Sequence, residues 1–357
     1  MAATTGETRL VEDSLLVKQV VQEKGHSNYQ VEAVNFEALS ADDIARYGEI
    51  EVLNPEKYDL VTRKAQAFGS LDSRLGCCTK TATCGTCGQN VENCMGHFGH
   101  VRLALPVFHV GFLKHIFTTI QCICKVCGRL LLPPDERGRY LKRLRRPTTD
   151  ALAKSLIYKK LVEQCKRIRS CPFCQNYNGP VRKGAGIPLL FKHHIGAAKG
   201  TPEEVGKAHE ESFRDATMSN RDLALHVDKA QEDISPLTAY KLLRAMTPQD
   251  RELLDMVHPD RLLITSVPVP PVVLRPTVTM GDAGVNEDDL THAVSEIVTA
   301  NNMLRNHLER GGLTKQVHEA WKFLQDQCAI FMNSEANGLE LPKGRPIRSL
   351  CTRLKGR

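Results

Sequence analysis

The sequence predicts an α+β fold, mainly helical with short strands, and three observations carry that expectation. Several of its thirteen cysteines fall in C-x2-C pairs. In the C-terminal third, two apolar runs recur in alternating steps of four and three, the signature of helices that share a seam. Just before them, four prolines fall within nine residues, from Pro268 to Pro276, which excludes a helix there and makes a stiff extended segment.

The totals bound the problem. A chain of 357 residues can bury two or three cores. It is 41% hydrophobic and 25% charged, ordinary for a soluble protein. No apolar run reaches the roughly 18–20 residues of a membrane span. The N-terminal MAATTGETRLVEDSLLVKQ has neither a signal-peptide core nor an Arg-rich transit pattern, so no export is expected. Aromatic residues make up only 5%, which argues against many base-stacking platforms. The net charge of +7 is unevenly spread: Arg137 to Lys183 holds fourteen Lys or Arg against Asp150 and Glu163. Such a field attracts phosphate backbones, or it is a solvated helix face beside an acidic partner.

Cys84, Cys87, Cys94 and His97 form C-x2-C-x6-C-x2-H, with Gly85, Gly88 and Gly96 free to take the backbone angles of tight turns. Thiolates with one imidazole select zinc over hard cations, and four protein ligands leave no position for an activated water. A closed structural zinc site is expected, with His100 as a competing fourth ligand. Cys124 and Cys127, with Cys171 and Cys174 beyond an intervening forty-three residues, form a second set that would close a long excursion. Cys122 and Cys165 are its possible alternates, and Cys78 is one for the first site. A redox dithiol reading lacks its βαβ context. The spare Cys77, Cys78, Cys122, Cys165, Cys328 and Cys351 read as small buried hydrophobes.

Between the two sets, Val101 to Leu105 reads as a strand and Gly111 to Gln121 as a buried helix start, with His109 and His115 packed or half-exposed. Residues 266–285 form the proline-rich loop, a wedge or a linker. Residues 286–334 read as an antiparallel coiled-coil hairpin. Asn286 would cap its first helix, whose seam is Leu290, Val294, Ile297, Asn301, Leu304 and Leu308. RGG at Arg310 to Gly312 breaks it, and Val317, Trp321, Leu324, Cys328 and Phe331 form the second seam. Asn301 is the polar position expected to fix register between the helices. The basic end, KGRPIRSLCTRLKGR, offers Lys343, Arg345, Arg348, Arg353, Lys355 and Arg357 to nucleic acid, as Arg275 does from the proline segment.

CGTCGQNVENCMGHFGHVRLALPVFHVGF resembles the amino-terminal zinc region of the largest subunit of multisubunit RNA polymerases. LDSRLG, VPVPPVVLRPTV, NEDDLTHAVSEI and RLKGR match that family in the same order. NEDDLT, LRRP, CPFCQNYNGPVRK and LSADDIARYGEIEV look most like the polymerase III subunit, with polymerase II the runner-up. The resemblance implies a mobile clamp. Residues 1–60 would be an N-terminal clamp-core segment, 61–185 a clamp head stiffened by two zinc ions, and 186–265 a mainly helical clamp core. The proline segment would be a lid and the hairpin a docking surface for initiation factors. Residues 335–357 would be a rudder and the entrance to a switch region.

The resemblance further implies DNA template, RNA–DNA hybrid and other polymerase subunits as partners, a nuclear location and no membrane. No Asp-x-Asp-x-Asp occurs in the sequence. The catalytic magnesium is therefore expected outside these residues, and the chain is expected to be an N-terminal part of a larger subunit with no catalytic residue of its own. A free-standing zinc-containing nucleic-acid-binding protein is the alternative, and closed sites argue against a zinc hydrolase.

Overall fold

A computed structural model describes residues 31–355, apart from 33, 35, 36, 80, 185, 195–202, 204, 206, 208–210, 212, 213, 220–230, 280–284 and 340–346. The chain divides into two units between Ala38 and Leu39, and every described helix and strand belongs to the second. In chain order the elements that position the sites are α1 (Ala41–Tyr47), β1 (Gly48–Glu51), β2 (Phe98–Phe108), α2 (Leu113–Cys122), α3 (Pro134–Leu144) and α4 (Ala151–Arg167). They continue with β3 (Val181–Lys183), β4 (Phe191–His194), β5 (Gln231–Ile234), α5 (Pro236–Arg244), α6 (Pro248–Leu253), β6 (Leu263–Val269), β7 (Val278–Thr279) and β8 (Val285–Asn286). The last are α7 (Asp289–Glu309), α8 (Thr314–Met332) and α9 (Leu350–Lys355). Mixed helix and small sheets fit the expected α+β class.

β2 is the spine. It pairs in parallel with β1 at its start and antiparallel with β6 along its length, so the strand runs well past both ends of the expected Val101–Leu105. Its pairing with β6 breaks between Arg102 and Val107. The helical hairpin covers that break: Ala104 N–H donates to Asn301 Oδ1 at 2.8 Å and Asn301 Nδ2 donates to Arg102 O at 2.9 Å. Trp321 Nε1 donates to Pro106 O at 2.9 Å. Gln325 accepts from Phe108 N–H at 2.7 Å and returns a bond to Phe108 O at 2.8 Å. Backbone groups along the break are thus paired by side chains.

Those bonds correct the role expected of Asn301: it fixes the register of α7 on the strand rather than on α8. Burial on α7 also reaches Thr291, Ala293, Ser295, Val298 and Ala300, wider than a two-position seam and fitted to packing on both β2 and α8. The expected seam residues are buried except Leu308, which is 44% exposed near the turn, and Val317, which is half-buried. Asn286 lies in β8 instead of capping; Asp288 caps α7, accepting from Leu290 N–H at 2.8 Å. The proline segment is also more embedded than a loop. Val267 and Val269 are fully buried in β6, and Val272 is buried in the short 3₁₀ turn that follows.

A second core gathers α2, α3, α4, α5 and Phe108, Phe191 and Leu263. α3 and α4 form the excursion between the C-x2-C pairs. Pro134 at the first turn and Asp135 and Glu136 beside it suit the start of α3, and the Asp150 carboxylate caps α4 by accepting from Ala153 N–H at 2.8 Å. Of the spare cysteines, Cys77, Cys122, Cys165 and Cys328 are buried as expected, whereas Cys78 is exposed and Cys351 half-buried. His109 caps the turn before α2 and lies 4.7 Å from the Phe112 ring; His115 is exposed.

Candidate metal centres

One local frame recurs at three of the cysteine turns. Cys84 N–H donates to Gln89 O at 2.9 Å, while Gly88 N–H donates back to Cys84 O at 2.9 Å. Cys124 does the same with Arg129 and Gly128, and Cys171 with Asn176 and Gln175. The fourth position after each cysteine must turn left-handed: φ is 68° at Gly88, 70° at Gly128 and 60° at Gln175. The turn points N–H groups at sulfur, as with Thr86 N–H to Cys84 Sγ at 3.4 Å and Val126 N–H to Cys124 Sγ at 3.5 Å.

At the first centre the ligand atoms of Cys84, Cys87, Cys94 and His97 all lie within 4.8 Å of one another. His97 Nε2 is buried with no hydrogen-bond partner, while its Nδ1 lies 3.9 Å from Glu49 Oε1 on β1. An imidazole with one nitrogen facing a carboxylate and the other unpaired beside three thiols is oriented as a metal ligand. The residues therefore fit a metal. His100 stands apart from this cluster; it is buried in β2, where desolvation lowers its pKa below the ordinary imidazole value and favours the neutral ring. Gly96 has φ 84°, and a Cβ there would sit 2.5 Å from Pro271 Cβ, so this turn packs directly on the proline segment. Gly96→Ala meets both the left-handed penalty and that clash. It is expected to destabilise the chain by about 2–3 kcal/mol, read as a lowered urea midpoint.

At the second centre Cys124 and Cys174 Sγ are 3.5 Å apart, and Cys127 and Cys171 Sγ 3.7 Å. Four sulfurs about 2.3 Å from a tetrahedral ion would be separated by about 3.8 Å, whereas a disulfide needs about 2.05 Å. Asn178, which the spacing did not reveal, locks this centre: Oδ1 accepts from Lys125 N–H at 3.0 Å and Nδ2 donates to Cys124 Sγ at 3.4 Å. Asp250 on α6 braces it from behind, pairing with Arg137 at 2.7 Å and accepting from Leu130 N–H at 3.4 Å. The Phe173 ring between the two cysteines carries the guanidinium groups of Arg129 at 4.8 Å and Arg137 at 5.2 Å.

Burial pushes the Cys94 thiol up to about 11 and the Cys127 thiol up to about 12. Burial also acts to raise Cys174, but the Asn176 N–H and the neighbouring thiols outweigh it and bring it down to about 7. Four crowded thiols cannot all ionise on their own; a dication supplies the charge that lets them do so. Sulfur-rich donor sets of this kind suit a soft tetrahedral cation, and with all four positions taken by protein the chemistry is architectural.

The expected nucleic-acid contacts fare less uniformly. Arg275 is fully buried: Nε donates to Pro270 O at 2.9 Å and NH1 to Thr291 Oγ1 at 3.1 Å, so it staples the proline turn to α7 and is unavailable to nucleic acid. Burial lowers its pKa to about 10, against the opposing pull of Asp288 and Glu287, and it stays charged at neutral pH. Arg353 is exposed but forks onto Asp288 at 2.6 Å, and Lys355 pairs with Glu335 at 3.1 Å. Arg348 is exposed, its backbone N–H donating to Asp289. Lys343, Arg345 and Arg357 lie outside the described residues.

Residues 28–357 match the family model described as RNA polymerase Rpb1, domain 1. The DNA-directed RNA polymerase III subunit rpc1 of Dictyostelium discoideum is 36% identical over 331 residues, covering 91% of this chain and 22% of that protein. RPC1 of Saccharomyces cerevisiae is 36% identical over 355 residues, covering 92% and 24%. DNA-directed RNA polymerase subunit Rpo1N of Thermococcus celer is 29% identical over 328 residues, covering 91% and 33%. The chain thus spans about a quarter of the length of these two polymerase III relatives. With that match running from residue 28 through both metal centres, the hairpin and the basic end, the chain belongs to the RNA polymerase Rpb1 domain 1 family.

Proposed function

We propose that the chain is the clamp portion of the largest subunit of a nuclear RNA polymerase III, holding template DNA and the RNA–DNA hybrid. The similarity to polymerase III largest subunits over more than nine-tenths of the chain carries this reading. Two zinc ions stiffen the head through Cys84, Cys87, Cys94 and His97 and through Cys124, Cys127, Cys171 and Cys174. The magnesium that serves nucleotidyl transfer is bound by residues outside this chain. In this reading residues 286–334 are the clamp coiled coil, and its far end is the docking surface for initiation factors. The exposure of Met303, Leu308 and Leu313 there supports that role. The buried proline turn, stapled by Arg275, sets the base of the lid. Lys343, Arg345, Arg348, Arg353, Lys355 and Arg357 form the nucleic-acid edge, with Arg353 exchanging Asp288 for a phosphate. Leu60 and Val61, 91% and 90% exposed, suit a surface that other subunits cover.

Mass spectrometry of proteins co-purifying with the chain, tagged at its natural locus, tests the proposal. Recovery of a full set of polymerase III subunits is the expected result. Polymerase II subunits would move the assignment to that enzyme. Recovery of the chain alone with two zinc ions would leave a free-standing nucleic-acid-binding protein.

A further inference from the structure

We propose that a basic recess beside the second metal centre binds a phosphate group. The recess has a volume of about 160 Å³ and is lined by Gln121, Lys125, Lys166, Arg169, Asn178 and neighbouring apolar residues, with no carboxylate among them. The three cations come from different places: Lys125 from the cysteine turn, Lys166 from the last turn of α4, and Arg169 from the loop into Cys171. Their approach is therefore fixed by the tertiary fold and not by one helix face.

Lys125 is held in place, since Nζ donates to Ile123 O at 2.9 Å and the Lys125 N–H is taken by Asn178. An ammonium has three donors, so two remain for a ligand. Lys166 and Arg169 are exposed and make no ion pair with a carboxylate among the described residues. Neutralising the thiolates does not account for all three. Four thiolates and one dication leave a charge of about −2, and the recess alone brings three positive charges, with Arg129 nearby on Phe173. The surplus faces a recess with room for a tetrahedral oxyanion and a few waters. Guanidinium and ammonium groups from several directions favour a phosphate dianion over a single carboxylate.

The test uses the zinc-loaded chain titrated with inorganic phosphate at constant ionic strength, followed by phosphorus NMR relaxation. A saturable isotherm is expected, weakened about tenfold or more in Lys166→Gln/Arg169→Gln, because charge-assisted bonds are lost. Lys159→Gln/Lys160→Gln removes the same charge from an exposed stretch of α4 outside the recess and should leave the isotherm unchanged. Zinc content reports the fold; should the double variant lose metal, Lys166→Gln alone is read in its place. Displacement of phosphate by duplex DNA, with a salt slope reduced by about two in the double variant, would assign the phosphate to a nucleic-acid backbone. Phosphate binding without such displacement would assign a free phosphate ligand. No saturable isotherm, an isotherm that survives the double substitution, or equal binding of acetate would overturn the proposal, the last in favour of a carboxylate-bearing peptide.

Discussion

Cys87→Ser is expected to lower the zinc content of the chain from two equivalents to one and to unfold the segment around residues 77–97 while the sheet persists. The core there is thin: Cys77, Cys84 and Cys94 are its buried members, with Ala82 and Val91 packed alongside. Three cysteine sulfurs and a few small side chains bury too little apolar area to offset the ordering of some twenty residues, each costing about 1–2 kcal/mol. A structural zinc ion supplies on the order of 10 kcal/mol. Cys87 is itself exposed, so its replacement removes a ligand without removing packing. The second centre belongs to a separate core and should keep its ion. Metal analysis gives the stoichiometry, and hydrogen exchange locates the loss. Protection should fall at Cys84, Gly88 and Cys94, whose N–H groups are held only by bonds within the turns, and survive in β2. Two retained equivalents of zinc would remove Cys87 from the site.

The cysteine spacings were legible because a metal turn is a local object: ligands three positions apart, a glycine four positions on, and a partner pair. Both ligand sets came together as the spacing implied. What supports them was not legible. Glu49 reaches His97 from a strand forty-eight positions earlier, and Asn178 reaches Cys124 from fifty-four positions later. Gln175 takes the left-handed angle that the other two turns give to glycine, so a search for glycine misses the third frame. Helix periodicity likewise found α7 and α8 and half of their buried residues. Periodicity reports which face is buried, however, and not against what. A heptad seam offers Asn301 no partner but the facing helix, whereas its partners are the backbone atoms of a strand some two hundred residues away. The charge of Arg275 is visible in the sequence but its burial is not, and the buried guanidinium serves the Pro270 carbonyl and the Thr291 hydroxyl.

Gln325→Leu should destabilise the chain by roughly 3–5 kcal/mol, because it leaves Phe108 N–H and C=O without partners in a fully buried site, each at about 1–3 kcal/mol. That loss is a large share of the roughly 5–15 kcal/mol that holds a domain folded. The strand cannot repair it, since β6 pairs with Phe108 through Leu263 and the register between Arg102 and Val107 is already broken. Water cannot reach it, as Gln325 and Phe108 are both 0% exposed. Leucine matches the volume and adds apolar contact, so the loss separates hydrogen bonding from packing. Gln325→Glu should be at least as damaging, because a carboxylate accepts from Phe108 N–H but returns nothing to Phe108 O and buries a charge. Leu308→Ala, on an exposed stretch of α7, should cost no more than about 0.5 kcal/mol. Urea midpoints of the three variants decide the matter: if Gln325→Leu melts with Leu308→Ala, the strand break does not depend on the hairpin. If it melts far below, the hairpin is bolted to β2 by side-chain amides, and any motion of its tip must carry the strand with it.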